Sequence, residues 1–195
     1  MGIVIVRFKN MPLNHTSQFA ELTDEQFKLI GKIVVEWANV EFLQKIILCR
    51  LLFSAEFISR TYTDRMSALR IHDAIKESVD LHRYRYSATI VSEDILSEIE
   101  KVNKEVHNAR IHRNKFAHFC WTRSTDEEIF GTNFSAGLPG SKKDKKSYIV
   151  IKNQELEQLY KESFNLVDKI NEILEKLPEI EEDDLVRRSK TEQKL

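Results

Sequence analysis

Between Val106 and Thr125 the chain carries Arg110, Arg113, Lys115 and Arg123, three histidines and no Asp or Glu. In a protein whose formal net charge is -1, this is a local positive island. Arg presents a bidentate donor fork and His can change protonation near neutral pH, so such a stretch suits a phosphate ligand. Within it lies RNKFAH, Arg113 to His118. At about 100° per residue the Arg and the His lie about 140° apart on a helix, so they bracket a groove instead of chelating one atom. Arg113 also falls on an apolar row, where a charge needs a partner or an anion. Glu41 is the candidate partner, because it too stands where core is expected, on the row Val34, Trp37, Glu41, Leu48. A metal site is not expected. His107, His112 and His118 are spaced by five and six residues, off any common face, and neither HExxH nor CxxC occurs.

An Arg followed by Asn and, within six residues, a His, near the end of a long helix, resembles the HEPN superfamily (higher eukaryotes and prokaryotes nucleotide-binding domain). The resemblance spans roughly residues 21–177 and rests on RNKFAH and on VVEWANVE, Val34 to Glu41. It implies a four- to five-helix bundle that cleaves RNA without metal or other cofactor. By resemblance, His118 moves the proton of the ribose 2′-hydroxyl or of the leaving oxygen. Arg113 stabilises charge on phosphorus, and Asn114 orients the Arg or the phosphate. The resemblance further implies a homodimer with two motifs facing one cleft, and an antitoxin or nucleotidyltransferase-like partner. Arg110, Lys115 and Arg123 are the candidate phosphate contacts, with Glu41 supporting.

Plainer readings stand beside these. His118 can be a histidine capping a helix end, where a cation meets the dipole favourably. Arg113 and Glu41 can form a structural ion pair that only fixes helix register. The whole chain can be a non-catalytic module that binds RNA, a nucleotide or a protein.

The elements that must position these residues are mainly helical. Only 5 Gly and 3 Pro occur in 195 residues, too few for an all-β chain full of turns. A hydrophobic fraction of 42% supplies a core, and 31% charged residues supply a solvated surface. Thr23 and Gln26 form a capping box that opens a first helix running to about Leu52, with Phe27, Ile30, Val34, Trp37, Phe42, Leu43, Ile46, Ile47 and Leu51 as a wide apolar surface. That width suggests a bundle interior or an added dimer contact. A second helix is expected over 64–82, and Arg83-Tyr84-Arg85-Tyr86 reads as a connection with packing Tyr side chains.

A third helix starts at the N-cap Ser92, with Val91 and Leu96 as its staple. Its apolar row is Ile95, Ile99, Val102, Val106, Ala109, Ala117 and Cys120. Strands over 127–134 and 147–151 make a hairpin, within an insertion at about 122–152, and a last helix follows with Asn153 as N-cap and Pro178 as stop.

The domain boundaries follow: a strand and loop extension over 1–20, with Ile3 to Phe8 as the strand, a helical domain over 21–177, and a charged tail over 178–195 that is too polar to pack. Cys49 and Cys120 both read as buried thiols in a reducing compartment. The opening MGIVIVRF is too short for a signal peptide or a membrane span, so a cytoplasmic protein without membrane contact is expected.

Overall fold

The structure is a computed structural model and describes residues 21–133 and 147–180. The expected strand over Ile3 to Phe8, the loop between the hairpin strands and most of the charged tail lie outside the described residues. Among those described, the chain runs α1 (Asp24–Leu51), α2 (Glu56–Thr63), α3 (Ala68–Tyr84), α4 (Glu93–His118), β1 (Cys120–Thr125), β2 (Glu128–Asn133), β3 (Ser147–Lys152) and α5 (Asn153–Lys176). The fold is therefore mainly helical, with a small antiparallel sheet ahead of the last helix. No helix among the described residues is long and apolar enough to cross a membrane.

The chain divides into two compact units. Among the described residues the first comprises 21–35, 111–133 and 147–162, and the second comprises 36–110 and 163–180.

In the first unit the capping box forms as the sequence dictates. The Thr23 amide donates to Gln26 Oε1 at 2.9 Å, and the Gln26 amide donates to Thr23 Oγ1 at 3.2 Å. Two donors that a helix start otherwise leaves open are thus satisfied. The same fully buried Gln26 turns its amide nitrogen to the carbonyls of Thr125 (3.0 Å) and Asp126 (3.2 Å). Asn153 Nδ2 also donates to the Asp126 carbonyl, at 3.0 Å, and the Asn153 amide donates to the Glu127 carbonyl at 2.9 Å.

Asn153 is consequently not the expected N-cap of the last helix. Its side chain serves the β1–β2 turn, while Glu155 reaches back to the Lys152 amide at 2.8 Å. The sheet order is β1-β2-β3, both pairs antiparallel, with an irregularity between Arg123 and Thr125. Ile129 and Ile151 face each other across β2 and β3 and join Leu29, Ile33, Phe116 and Leu156 in this unit's core.

In the second unit the core takes Trp37, Val40, Ile46, Ile47, Leu48 and Leu51 from α1, and Ile71, Ile75 and Val79 from α3. From α4 it takes Leu96, Ile99, Val102 and Val106, and from α5 Leu166, Ile170 and Ile173. Val91 and Leu96, the expected staple, are both buried. A polar relay crosses this apolar body: Gln44 Nε2 donates to Asn103 Oδ1 at 3.1 Å, and Asn103 Nδ2 donates to the His72 carbonyl at 3.0 Å. Three helices are thereby fixed in register, since an unpaired amide at that depth is costly. Arg50 binds Glu56, the Leu174 carbonyl and Glu179 together. Glu179, at the start of the acidic tail, is therefore paired.

Several expectations need correction. The buried row of α1 is Leu29, Ile33, Trp37 and Val40, whereas Phe27, Val34 and Phe42 are exposed. The helix is rotated relative to the face that aromatic bulk alone suggests. In α4 the row continues through Phe116, and Ala117 is exposed. Cys120 is exposed too, because α4 ends at His118 and Cys120 starts a strand, where helical spacing no longer decides its direction. Cys49 is buried as expected, and burial pushes its thiol pKa up. The helix α2 and the strand β1 were not expected. Arg83 and Tyr84 close α3 in place of forming a connection, and Arg83 is held by Glu93 at 2.8 Å and Glu100 at 2.9 Å.

Two measurements test these contacts. Replacing Gln26 by Ala removes a capping partner and leaves two carbonyls short of a donor; unfolding by urea should show a loss of about 2 kcal/mol. In the second unit, His107 lies against His72 with ring centroids 4.3 Å apart and planes tilted by 33°. Desolvation by burial, and then the neighbouring His72 and Arg110, hold the His107 pKa below its ordinary value. The unfolded chain therefore takes up this proton first, so the stability His107 contributes is complete above about pH 6.5 and is lost as pH falls below it. Thermal melts from pH 8 down to pH 5 should show this loss in the wild type and a smaller one in His107→Gln.

Candidate functional site

The motif occupies the last two turns of α4, inside the first unit. Local sequence explains why the helix reaches this far and stops. No Gly or Pro interrupts Glu93 to His118, and beyond it the β-rich run Cys120-Trp121-Thr122 takes an extended course as β1. Within the motif, Arg113 is half-buried, Asn114 is exposed and His118, the last helical residue, is exposed. Arg113 Nη1 donates to Asn114 Oδ1 at 3.3 Å. A guanidinium held by the residue beside it has lost part of its rotamer freedom before any anion arrives.

The remaining candidates are distributed as follows. Lys115 is half-buried on the same two turns. Arg123 lies on β1 and is exposed, with Nη1 3.3 Å from Asp126 Oδ1, so its charge is partly offset. Arg110 is half-buried and is the last α4 residue of the second unit. Glu41 also belongs to the second unit, where it is half-buried and accepts a 2.9 Å bond from the Trp37 indole. The structure thus brings Arg113 and Asn114 into contact. A cleft of about 420 Å³ in the first unit is lined by Thr125, Glu127, Glu128, Lys152, Asn153 and Gln154, none of which belongs to the motif. Among the described residues no three His, Cys, Asp or Glu side chains gather as metal ligands.

Sequence reasoning missed the group that fixes the end of α4. Trp121 stacks on Phe116 with centroids 5.1 Å apart and planes 15° from parallel. Its indole N–H donates to the Phe116 carbonyl at 3.4 Å, taking one of the carbonyls that a helix C-terminus leaves without an amide. Across the β1–β2 ladder Trp121 faces Gly131, and a Cβ there would come within 2.5 Å of Trp121 Cζ3. Only a glycine lets the ring lie so close to the strand. The signal was available, since a glycine inside a strand often marks the close approach of another group. Trp121 is accordingly a packing anchor, with the ring committed to Phe116 and Gly131.

Comparison of the chain with protein-family models, with curated proteins and with solved structures gave no match. What the chain does must therefore be read from its own residues.

Gly131→Val tests the anchor. The added side chain must displace Trp121, so stability should fall by about 2 kcal/mol. Trp fluorescence should shift towards the solvent-exposed wavelength at low denaturant, whereas Thr122→Val on the same strand should leave both unchanged.

Proposed function

We propose that this chain is a metal-independent endoribonuclease of the HEPN type, of the toxin or defence class, working as a homodimer on RNA. The observation that carries the reading is the end of α4, where a guanidinium held at 3.3 Å by Asn114 shares two helical turns with an exposed imidazole. Arg113 and His118 are separated by about 7.5 Å along the helix axis, from a rise of about 1.5 Å per residue. A phosphodiester lying against such a surface can meet both groups at once. The absence of acidic residues from Val106 to Thr125 favours the approach of a polyanion.

The chemistry follows from the groups. The ribose 2′-hydroxyl attacks the adjacent phosphorus, its proton passing to a general base as the new P–O bond forms. The bond to the 5′-oxygen then breaks as that oxygen gains a proton. His118 serves one of these two proton transfers. Arg113 offers its donors to the non-bridging oxygens, whose negative charge grows in the transition state, and Asn114 restrains the Arg. The products are a 2′,3′-cyclic phosphate and a free 5′-hydroxyl, with no metal needed to activate water. Lys115 and Arg110 supply phosphate contacts, and Arg123 can do so only in competition with Asp126. A chain of this type is held silent by an antitoxin or a nucleotidyltransferase-like partner.

Incubation with RNA in the presence of EDTA tests the proposal. Cleavage with cyclic-phosphate ends is expected, reduced about a thousandfold in His118→Ala and strongly in Arg113→Ala. Undiminished cleavage by His118→Ala would overturn the assignment. Retention of RNA without any cleavage by the wild type would point to the binding module instead.

A further inference from the structure

The helix α3 carries two carboxylates for which the chain supplies no base. Among the described residues the side chains of Glu77 and Asp80 enter neither an ion pair nor a hydrogen bond. Neighbouring carboxylates of the second unit are all put to use: Glu93 and Glu100 hold Arg83, Glu98 holds Lys176 and Glu105 holds Lys169. Lys76 stands one turn before Asp80 and does not pair with it. Like charges so close on one helix face repel each other, and a cation from outside relieves that repulsion.

Both carboxylates line an open groove of about 750 Å³, together with Leu81, Tyr84, Arg85 and Tyr86. Glu77, Asp80, Leu81 and Tyr84 follow one stripe of α3, at the spacing that stacks side chains on a helix face. The chain then reverses. The Ala88 amide returns to the His82 carbonyl at 3.0 Å, and Tyr86 lies beside the buried His82 ring, with centroids 5.7 Å apart. His82 is itself fixed by the Leu51 carbonyl, 2.9 Å from Nε2. Tyr86 is therefore set in place, while Tyr84, whose sequence context suggested packing, is 87% exposed and Leu81 46%.

The walls agree on the chemistry of the occupant. Glu77 and Asp80 attract a cation, and the C-terminal end of α3 adds the negative end of its dipole. Tyrosine faces attract a guanidinium through the ring quadrupole, and Leu81 accepts the aliphatic stem of a long basic side chain. Two tyrosines and Arg85 alone would suit RNA, but a polyanion here meets two uncompensated carboxylates. Arg85 is the single base of the lining, about 12 Å along the helix axis from Glu77. At that distance its donor fork suits the main-chain carbonyls of a bound peptide.

We infer that this groove docks a basic segment of a partner protein, with an Arg side chain lying on Tyr84 and its guanidinium between Glu77 and Asp80. The groove belongs to the second unit and RNKFAH to the first, so the inference does not rest on the ribonuclease reading.

Fluorescence anisotropy of the full chain with a labelled tetra-arginine peptide provides the test. Micromolar binding is expected at low salt, weaker for tetra-lysine, whose ammonium groups do not stack on a ring as a planar guanidinium does. Tetra-citrulline keeps the shape without the charge and should not bind. Glu77→Gln/Asp80→Asn should weaken the arginine peptide at least tenfold, and Tyr84→Ala about fivefold. Glu172→Gln/Glu175→Gln removes the same charge from exposed positions on α5 and should leave the affinity within twofold. Equal losses in the two double variants would show attraction to net charge alone and overturn the site. Failure of the arginine peptide to bind, or binding of labelled oligouridylate in its place, overturns it too. If the peptide binds only to Arg187→Gln/Arg188→Gln, the chain's own basic segment is the occupant and a separate partner is overturned.

Discussion

In the first unit, three amide donors converge on the turn between β1 and β2, and the position of the sheet depends on them. Gln26 serves the Thr125 and Asp126 carbonyls, and Asn153 serves Asp126 through its side chain and Glu127 through its backbone. One turn is thus tied to the first residues of α1 and of α5 at once. Neither helix could shift along its axis without losing hydrogen bonds from a buried amide, which costs more than the bonds gain when made. With the turn fixed, β1 runs back to the end of α4 at a set height, and Trp121 arrives on Phe116. The helix end that carries His118 is therefore located by polar contacts made at the far end of β1.

The second unit uses a different device for the same purpose. Its apolar residues would allow α1, α3 and α4 to slide, since aliphatic contacts are not directional. Gln44, Asn103 and the His72 carbonyl form a chain of two hydrogen bonds that fits one register alone. Asn103 stands one turn before His107, so the tilted His72–His107 ring contact inherits that register. Polar groups inside an apolar body are costly if misplaced, and this gives them authority over alignment.

The sequence revealed those features whose cause is local. Thr23 and Gln26 named the start of α1 because a capping box involves four consecutive residues. Val91 and Leu96 named the start of α4, and the run around Ser147 to Ile151 named a strand. What stayed hidden depends on distant partners. Gln26 looked like a cap alone, and nothing near it in the chain announces Asp126, one hundred residues away. Asn153 looked like a cap for the same reason, although Glu155 does that work. Cys120 was assigned to a helical row because the helix's end is set by Trp121 and Gly131, two residues on separate strands. α2 was missed because its pattern is inverted, and reading apolar positions as core fails wherever the inner side is polar.

The candidate site was legible as a list of residue types, and less so as geometry. Arg113 stood out because a charge on an apolar row is an anomaly, and it is half-buried, not sealed. Spacing alone gives no reason for the contact with Asn114, since residues one apart on a helix do not face each other and only a long side chain folding back makes it. On the ribonuclease reading this matters for the chemistry. A guanidinium free to sweep through many rotamers stabilises a transition state poorly, because ordering it then opposes the reaction. An Arg already bonded to its neighbour, on a helix one of whose last carbonyls is held by an indole, meets the developing charge with less left to arrange. The imidazole sits at the boundary where that helix gives way to the strand. Its distance from the Arg is consequently set by one and a half turns of backbone, the stiffest spacer a chain of this length can offer.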